Sequence, residues 1–374
     1  MADHGRVNVC GIGMVARQEL GKPEFLASLT RPELALERHV LGALSESRDE
    51  KVRAAGLFLE MYAAIGRLAE PFLERGRACA GDAVCEDQAS REHDAAVHAA
   101  AAPPRDALAR QAAATRDPAV YAIGYAACRS GFGGPGGACQ LVSADQWARM
   151  DPGNAVPWLH VAGAAARKDL QTQAEAVHRA ASAQAYRAYT DEIVGWIAPL
   201  LPADLTPLER HSTLETIAMV ANSTTFPFSP FGFCSKADVA DVNRRQACEA
   251  LGSMLLSKGT NLVTQIVGAG VLQQAGRPAE EIAAIKEEAT ALQQLAADVF
   301  TQQTLACESL RDSEAMLVRG ARLGELENLR QRFAASGMTA RAYLAATRAS
   351  GAGQGTEGAF TPLPSPAAAT PSLR

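Results

Sequence analysis

The sequence predicts an all-α protein, built of antiparallel helical hairpins followed by a C-terminal helical bundle, and three observations carry that expectation. Apolar residues make up 48% of the 374 positions while aromatics make up only 5%, and alanine is abundant, a composition suited to helices packed at close range. Apolar residues recur at helical spacing along most of the chain. Aspartate, proline and glycine fall between those periodic runs, where helices start and stop. The length suffices for two modest domains or one extended helical stack. The expected organisation is an extended segment at 1–30, helices over 31–116, helical hairpins over 117–200, a bundle over 201–349 and a disordered tail from 350 to 374.

Residues 6–16, RVNVCGIGMVA, place a G-x-G-x-x-A run after a short strand-like stretch, the look of a dinucleotide-binding turn. The helix that should follow meets Gly21, Lys22 and Pro23 within two turns, and no second strand with an acidic end appears downstream. A structural turn in an extended segment is the expectation. Val40 and Leu44 then suggest one helix. Val52, Ala55, Leu59, Tyr62 and Gly66 trace a second, whose other face, Phe58, Met61 and Ile65, is apolar too and places it centrally in a core. Residues 69–116 are polar and alanine-rich, and Pro103-Pro104 predicts a break.

Cys79, Cys85, His93 and His98 are four ligand-type residues in a short span. Their spacing is not that of a zinc finger, and histidines five apart diverge by about 140° on a helix, so a disulfide between Cys79 and Cys85 is preferred over a metal site. Asp117-Pro118 opens a helix reaching about Cys128, and Cys139 begins another that ends near Met150. The glycine-rich loop between them lacks the G-K-[ST] ending of a phosphate cradle. A helix hairpin brings Cys128 and Cys139 together, and closing a loop of this size is worth on the order of 2–3 kcal/mol.

In the stretch from Asp151 to Ala181, Asp151 is an N-cap candidate, and Trp158, Val161, Ala162 and Ala165 follow at helical spacing. Asp169 caps a second run with Ala174, Val177, His178 and Ala181 on one face. This unit resembles a tetratricopeptide repeat. Trp158, Val161, Ala162, Ala174 and Ala181 match its pattern in order, and DPGN at 151–154 is the usual joint between repeats. The resemblance covers about one repeat; Ala165 and His178 stand where aromatics are usual, and the turn at Arg167, Lys168 and Asp169 lacks glycine. It implies a tetratricopeptide-like stack and a protein-binding scaffold.

Helices are expected to continue from Gln184 to Ile197 and to stop at Pro199 and Pro202, a subdomain boundary. His211 to Ala221 resumes a helix. FPFSPFGFC at 226–234 gathers four phenylalanines and is expected to plug a gap between helices. Val239, Val242, Leu251 and Leu255 mark a helix carrying Cys248. Cys234 reaches it only if the intervening loop folds back, because fourteen residues of helix span about 20 Å. Further helices are expected at 260–275, from Pro278 onward, from Leu305 to Phe333 and near Tyr343; Ile282, Ile285, Ala289, Leu292, Leu295 and Val299 form a near-heptad stripe expected in the core.

A net charge of −5 and a pI near 5.9 leave no basic footprint for nucleic acid, and no run of eighteen apolar residues spans a bilayer. No G-x-S-x-G or H-E-x-x-H motif occurs, and no catalytic residue, cofactor or metal is assigned. The leading expectation is a non-enzymatic helical scaffold whose hairpins over 117–200 present a groove to a protein or peptide. A disulfide-stapled structural domain and an enzyme of unknown reaction, drawing on scattered groups such as His160 and His178, are the alternatives. Compartment is left open: MADHGRVNVC lacks an export signal and predicts cytoplasm, whereas the local pairs Cys79/Cys85, Cys128/Cys139 and Cys234/Cys248 predict an oxidising space such as a periplasm, leaving Cys10 and Cys307 unassigned.

Overall fold

The computed structural model describes residues 6–20, 41, 44, 47–130, 136–165, 169–222, 232–301 and 305–349. Among the described residues the fold is all-α apart from one two-stranded hairpin. Strands β1 (Arg6–Val9) and β2 (Gly13–Ala16) pair antiparallel, and the turn between them needs glycine, since Gly11 and Gly13 both have positive φ. The glycine fingerprint is therefore the turn of a β-hairpin and opens no phosphate-binding helix; a four-residue helix, α1 (Arg17–Leu20), follows β2. Two strands are marginal alone. This pair is held by Cys10, which bridges to Cys307 and donates its backbone N–H to Leu305 O at 2.8 Å, and by Val9 packing on Leu208 and Leu310.

Helix α2 (Glu50–Gly66), capped by Asp49, is buried on most of its circumference, as its apolar surface on both sides dictates. It packs on α4 (Ala83–Ala114), which α3 (Ala69–Cys79) precedes. Pro103-Pro104 does not break the chain here, contrary to expectation: both prolines lie inside α4, a helix of 32 residues. Tertiary packing overrides the local penalty, because Ala101, Pro104, Leu108 and Ala112 form one buried stripe. Helix α5 (Pro118–Arg129), capped by Asp117, lies between two cores. Tyr121, Ala122 and Tyr125 enter one with Trp147, Leu159, Val177, Phe233 and Leu251, while Val120, Ile123 and Ala127 enter the other with Phe58, Leu59, Ile193 and Ile217. Gly124 permits the close crossing of α4, since a Cβ there would collide with that of Ala112.

Beyond α5 a 3-10 turn (Gly137–Leu141) leads to α6 (Ala144–Met150), capped by Ser143, so the helix expected to begin at Cys139 is divided by Val142 and Ser143. Helices α7 (Ala155–Ala165) and α8 (Leu170–Ala181) pack as a hairpin, the second capped by Asp169 as its sequence indicates. Asp151 does not cap α7. It follows the last residue of α6, and Asn154 takes the capping role by accepting from Val156 N at 3.2 Å.

Asn154 is only 1% exposed and all four hydrogen-bonding positions of its amide are filled. Its Nδ2 donates to Asp151 Oδ2 and Arg187 O, both at 2.8 Å, and its Oδ1 also accepts from Arg187 N at 2.9 Å. Around it, Ala155 N donates to Ala185 O and Gln184 N to Gly153 O. Residues 184–189 are consequently non-helical, with Ala185 bridged to Asn154, and the helix expected over Gln184 to Ile197 is reduced to α9 (Ile193–Ile197) between the 3-10 turns Thr190–Glu192 and Ala198–Leu200.

The remaining helices are α10 (Pro207–Asn222), α11 (Val242–Lys258), α12 (Leu262–Ala275), α13 (Ala279–Thr301), α14 (Cys307–Leu323), α15 (Glu325–Ala335) and α16 (Ala340–Ala349). Thr206 and Glu209 form a capping box at the start of α10. Of the heptad stripe, Ile282, Ala289, Leu292 and Leu295 are buried. Phe233 is buried in the first core; the other phenylalanines of the aromatic segment, the helix around Val40 and the tail lie outside the described residues.

Replacing Asn154 by alanine strands several buried polar groups and is expected to cost on the order of 3 kcal/mol, read as a lowered denaturation midpoint. Serine replacement of both Cys10 and Cys307 opens a separation of 297 residues, against 6 for Cys79 and Cys85. Loop-closure entropy gives about 6 and about 2 kcal/mol respectively, so C10S/C307S is expected to show a lower midpoint than C79S/C85S in non-reducing urea titration. Equal midpoints would contradict that ordering.

Candidate functional site

The candidate site forms where three turns meet. Tyr189 has φ +66°, a left-handed conformation rare for an aromatic residue, and its hydroxyl donates to Asp151 Oδ2 at 2.9 Å. That bend sends the following turn inward and places Asp191 at a recess. The second turn joins α11 to α12 through Thr260 and Asn261, the latter capping α12 by accepting from Thr264 N. The third joins α14 to α15 through Gly324, φ +87°, which lies too close to Thr260 for a side chain. These two turns are hydrogen-bonded to each other: Leu326 N donates to Thr260 O at 2.9 Å, and Leu262 N donates to Glu325 Oε2 at 3.1 Å.

Between them lies a cavity of about 140 Å³. Val194, Ala218, Ala221, Leu317, Ala321 and Leu329 supply apolar walls from α9, α10, α14 and α15. Asp191, Asn222, Thr260, Asn261, Glu325 and Asn328 supply its polar lining. Asn328 is 7% exposed and is oriented by donating Nδ2 to Met316 O at 3.1 Å. Among the described residues that line it, none is cationic.

Burial pushes the Asp191 carboxyl up to about 6, helped by the charge of Glu192 and opposed by a 3.4 Å hydrogen bond from Thr260 Oγ1 and by the more remote Arg187. Arg187 cannot neutralise it, being engaged in a bidentate pair with Glu192 at 2.7–2.9 Å. Burial also raises Glu325, against the hydrogen bond from Leu262 N. The residue is open to solvent on its outer side, so screening by water limits that effect. The arrangement offers negative charge at an apolar recess, with the Thr260 hydroxyl donating to Asp191.

The residues singled out in the sequence lie elsewhere. Cys79 and Cys85 stand at disulfide distance, with Cα atoms 5.5 Å apart, and so do Cys128 and Cys139 at 5.5 Å and Cys234 and Cys248 at 5.8 Å. The loop after Cys234 folds back through the 3-10 turn Asp238–Ala240 to make the last pairing. Cys10 and Cys307, which the sequence left unassigned, pair at 4.7 Å. With Cys79 and Cys85 bonded to each other, neither thiolate is available to a metal, and His93 stacks on Phe72. His160 sits against Tyr125 and Trp147 and is held down to about 3 by burial and by Arg129, whereas His178 is exposed on α8. No helix of the described residues is long and apolar enough to cross a membrane.

No protein-family model matches the chain, and no curated protein or solved structure shows significant similarity to it.

The raised Asp191 has a consequence for stability. Between about pH 4 and 6 the folded chain keeps a proton that the unfolded chain has lost, so this group's contribution falls as pH rises through that window. Asp191→Asn is expected to stabilise the protein at pH 7 by on the order of 2 kcal/mol and to flatten the pH dependence of its thermal midpoint over that window. A midpoint unchanged at both pH 4 and pH 7 would refute the assignment.

Proposed function

We propose that this chain is a non-enzymatic helical scaffold that binds a protein or peptide partner, and that the partner anchors in the recess beside Asp191. One observation supports this most directly: a half-buried carboxylate, with no ion-pair partner among the described residues, lines a preformed cavity, and its raised pKa implies a cost to stability at neutral pH. A domain with a purely structural role gains nothing from such a group, while a binding site does, because a ligand of opposite charge relieves the cost. The tetratricopeptide-like unit at 151–181 has a supporting place in this reading. Its joint, through Asn154 and Asp151, orients the Tyr189 bend that presents Asp191.

The four cysteine pairings suit a protein that works in an oxidising compartment, where cross-links hold the framework while the recess carries an energetic penalty. A photo-crosslinking residue at Asn222, on the rim of the recess, is expected to capture a discrete partner from the native compartment of cells making the oxidised protein. The same group at exposed Val84, on the distant start of α4, is expected to capture none. Indistinguishable labelling at the two positions would refute the docking point.

A further inference from the structure

We propose that the recess beside Asp191 recognises a primary alkylammonium group, its methylenes lying along the apolar walls and its charged end held by Asp191 and Glu325. This rests on the reading of the chain as a binding scaffold and names the chemistry that its anchor point takes. Four properties of the site converge on that ligand.

Size comes first. A cavity of about 140 Å³ is small beside the ~300–1,000 Å³ clefts that enclose drug-sized ligands, so it admits a single short chain and no nucleotide or sugar chain. Charge comes second. Asp191 and Glu325 are the ionisable residues in the described lining, both acidic, so an anion is repelled and a neutral ligand leaves the Asp191 carboxylate uncompensated. Thirdly, the walls are hydrocarbon. Val194, Ala218, Leu317 and Leu329 offer nothing to a hydrated metal ion, and among the described residues no three His, Cys, Asp or Glu side chains gather to hold one. An alkyl stem, by contrast, gains roughly 0.8 kcal/mol per buried methylene.

The fourth property is the disposition of acceptors. Asp191 is half-buried, Glu325 is exposed at the mouth, and Asn328 is buried with its Nδ2 committed to Met316 O. A guanidinium requires a coplanar, bidentate carboxylate; here Glu325 Oε2 already accepts from Leu262 N and Asp191 Oδ2 from Thr260 Oγ1. An ammonium, a compact charge with three donors, is served by one oxygen from each of several groups. Lysine side chains and free alkylamines share this chemistry.

Calorimetric titration of the oxidised full-length chain at pH 7.0 (a chosen ~neutral condition) with n-butylammonium is expected to show saturable binding. Neutral n-butanol is expected to bind at least about tenfold more weakly and butyrate not at all. The double variant D191N/E325Q, which retains an acceptor for Leu262 N and loses only charge, is expected to weaken butylammonium by at least about tenfold. Ala218→Leu leaves both carboxylates intact and fills the recess, and is expected to abolish binding.

Butanol binding as tightly as butylammonium, or affinity unchanged in either variant, would overturn the proposal. Nα-acetyl-lysine amide binding more tightly than butylammonium assigns the ammonium to a peptide side chain, and the reverse order assigns it to a free amine; either order supports alkylammonium recognition. Failure of the scaffold reading is separable. Butylammonium binding without crosslinking at Asn222 leaves this inference standing and removes the partner, whereas crosslinking that D191N/E325Q does not affect removes the inference and keeps the scaffold.

Discussion

The amide of Asn154 is the fixed point of the structure. A buried primary amide is tolerated only when its donors and acceptor are met, and here both donors and both acceptor positions are used within two short segments, 151–156 and 187. Because the same side chain starts α7 and clamps the backbone of Arg187, the hairpin α7–α8 cannot tilt without carrying the 184–189 segment with it. That segment then bends at Tyr189 into the turn that presents Asp191. The left-handed conformation at Tyr189 costs roughly 1–3 kcal/mol, and its hydroxyl bond to Asp151 and the Arg187 guanidinium 4.6 Å from its ring centroid hold it in place. Local packing and the geometry of the recess are thus set by one hydrogen-bonded cluster.

Around that cluster the two cores meet across α5, which turns one face to Trp147 and Leu159 and the other to Phe58 and Ile193. Both cores draw residues from either side of position 200, so helices before and after the Pro199–Pro202 stretch share their burial. Alanine is what allows this. Ala112, Ala119, Ala122, Ala127, Ala155 and Ala162 are nearly or wholly buried, and small side chains let helix axes approach closely, with shape complementarity replacing aromatic bulk. The cross-links tie the N-terminal hairpin to α14, close the α3–α4 turn, join Cys128 to Cys139 and, at Cys234 and Cys248, lie within the first core.

Much of the fold was legible because its signals are local. Asp117-Pro118 and Asp169 open helices where capping chemistry says they should, α2 is central because it is apolar on both faces, and the spacing of Cys128 and Cys139 implies a hairpin. What misled were local signals overruled by tertiary contacts. Pro103-Pro104 carries a helix-breaking penalty that the buried Ala101–Leu108 stripe outweighs, and the helical look of Gln184 to Ile197 gives way to the pull of Asn154 on Arg187. The recess was not legible at all. Asp191, Thr260, Glu325 and Asn328 come from separated stretches, and each has an ordinary local reading: Glu325 resembles any acidic residue in a helix's first turn, and Thr260-Asn261 any cap. The T-P-L-E box at 206–209 was a readable signal for the start of α10 and was missed.

The energetic features of the recess run in one direction. Tyr189 is strained, Asp191 is desolvated without a countercharge in ion-pair reach among the described residues, and Gly324 adopts a φ that other residues resist. The charge at position 191 is not required by the packing of α9 to α15, since an asparagine there would keep the hydrogen bond from Thr260 and shed the charge penalty. The cost is concentrated at one cavity and the compensations lie outside it, in the Asn154 cluster and the disulfide tethers. A rigid frame of this kind prevents the recess from collapsing to hide its charge, because closing it would break Leu326 N to Thr260 O or Leu262 N to Glu325 Oε2. Protonating Asp191 or admitting a cation would each relieve the cost of its charge.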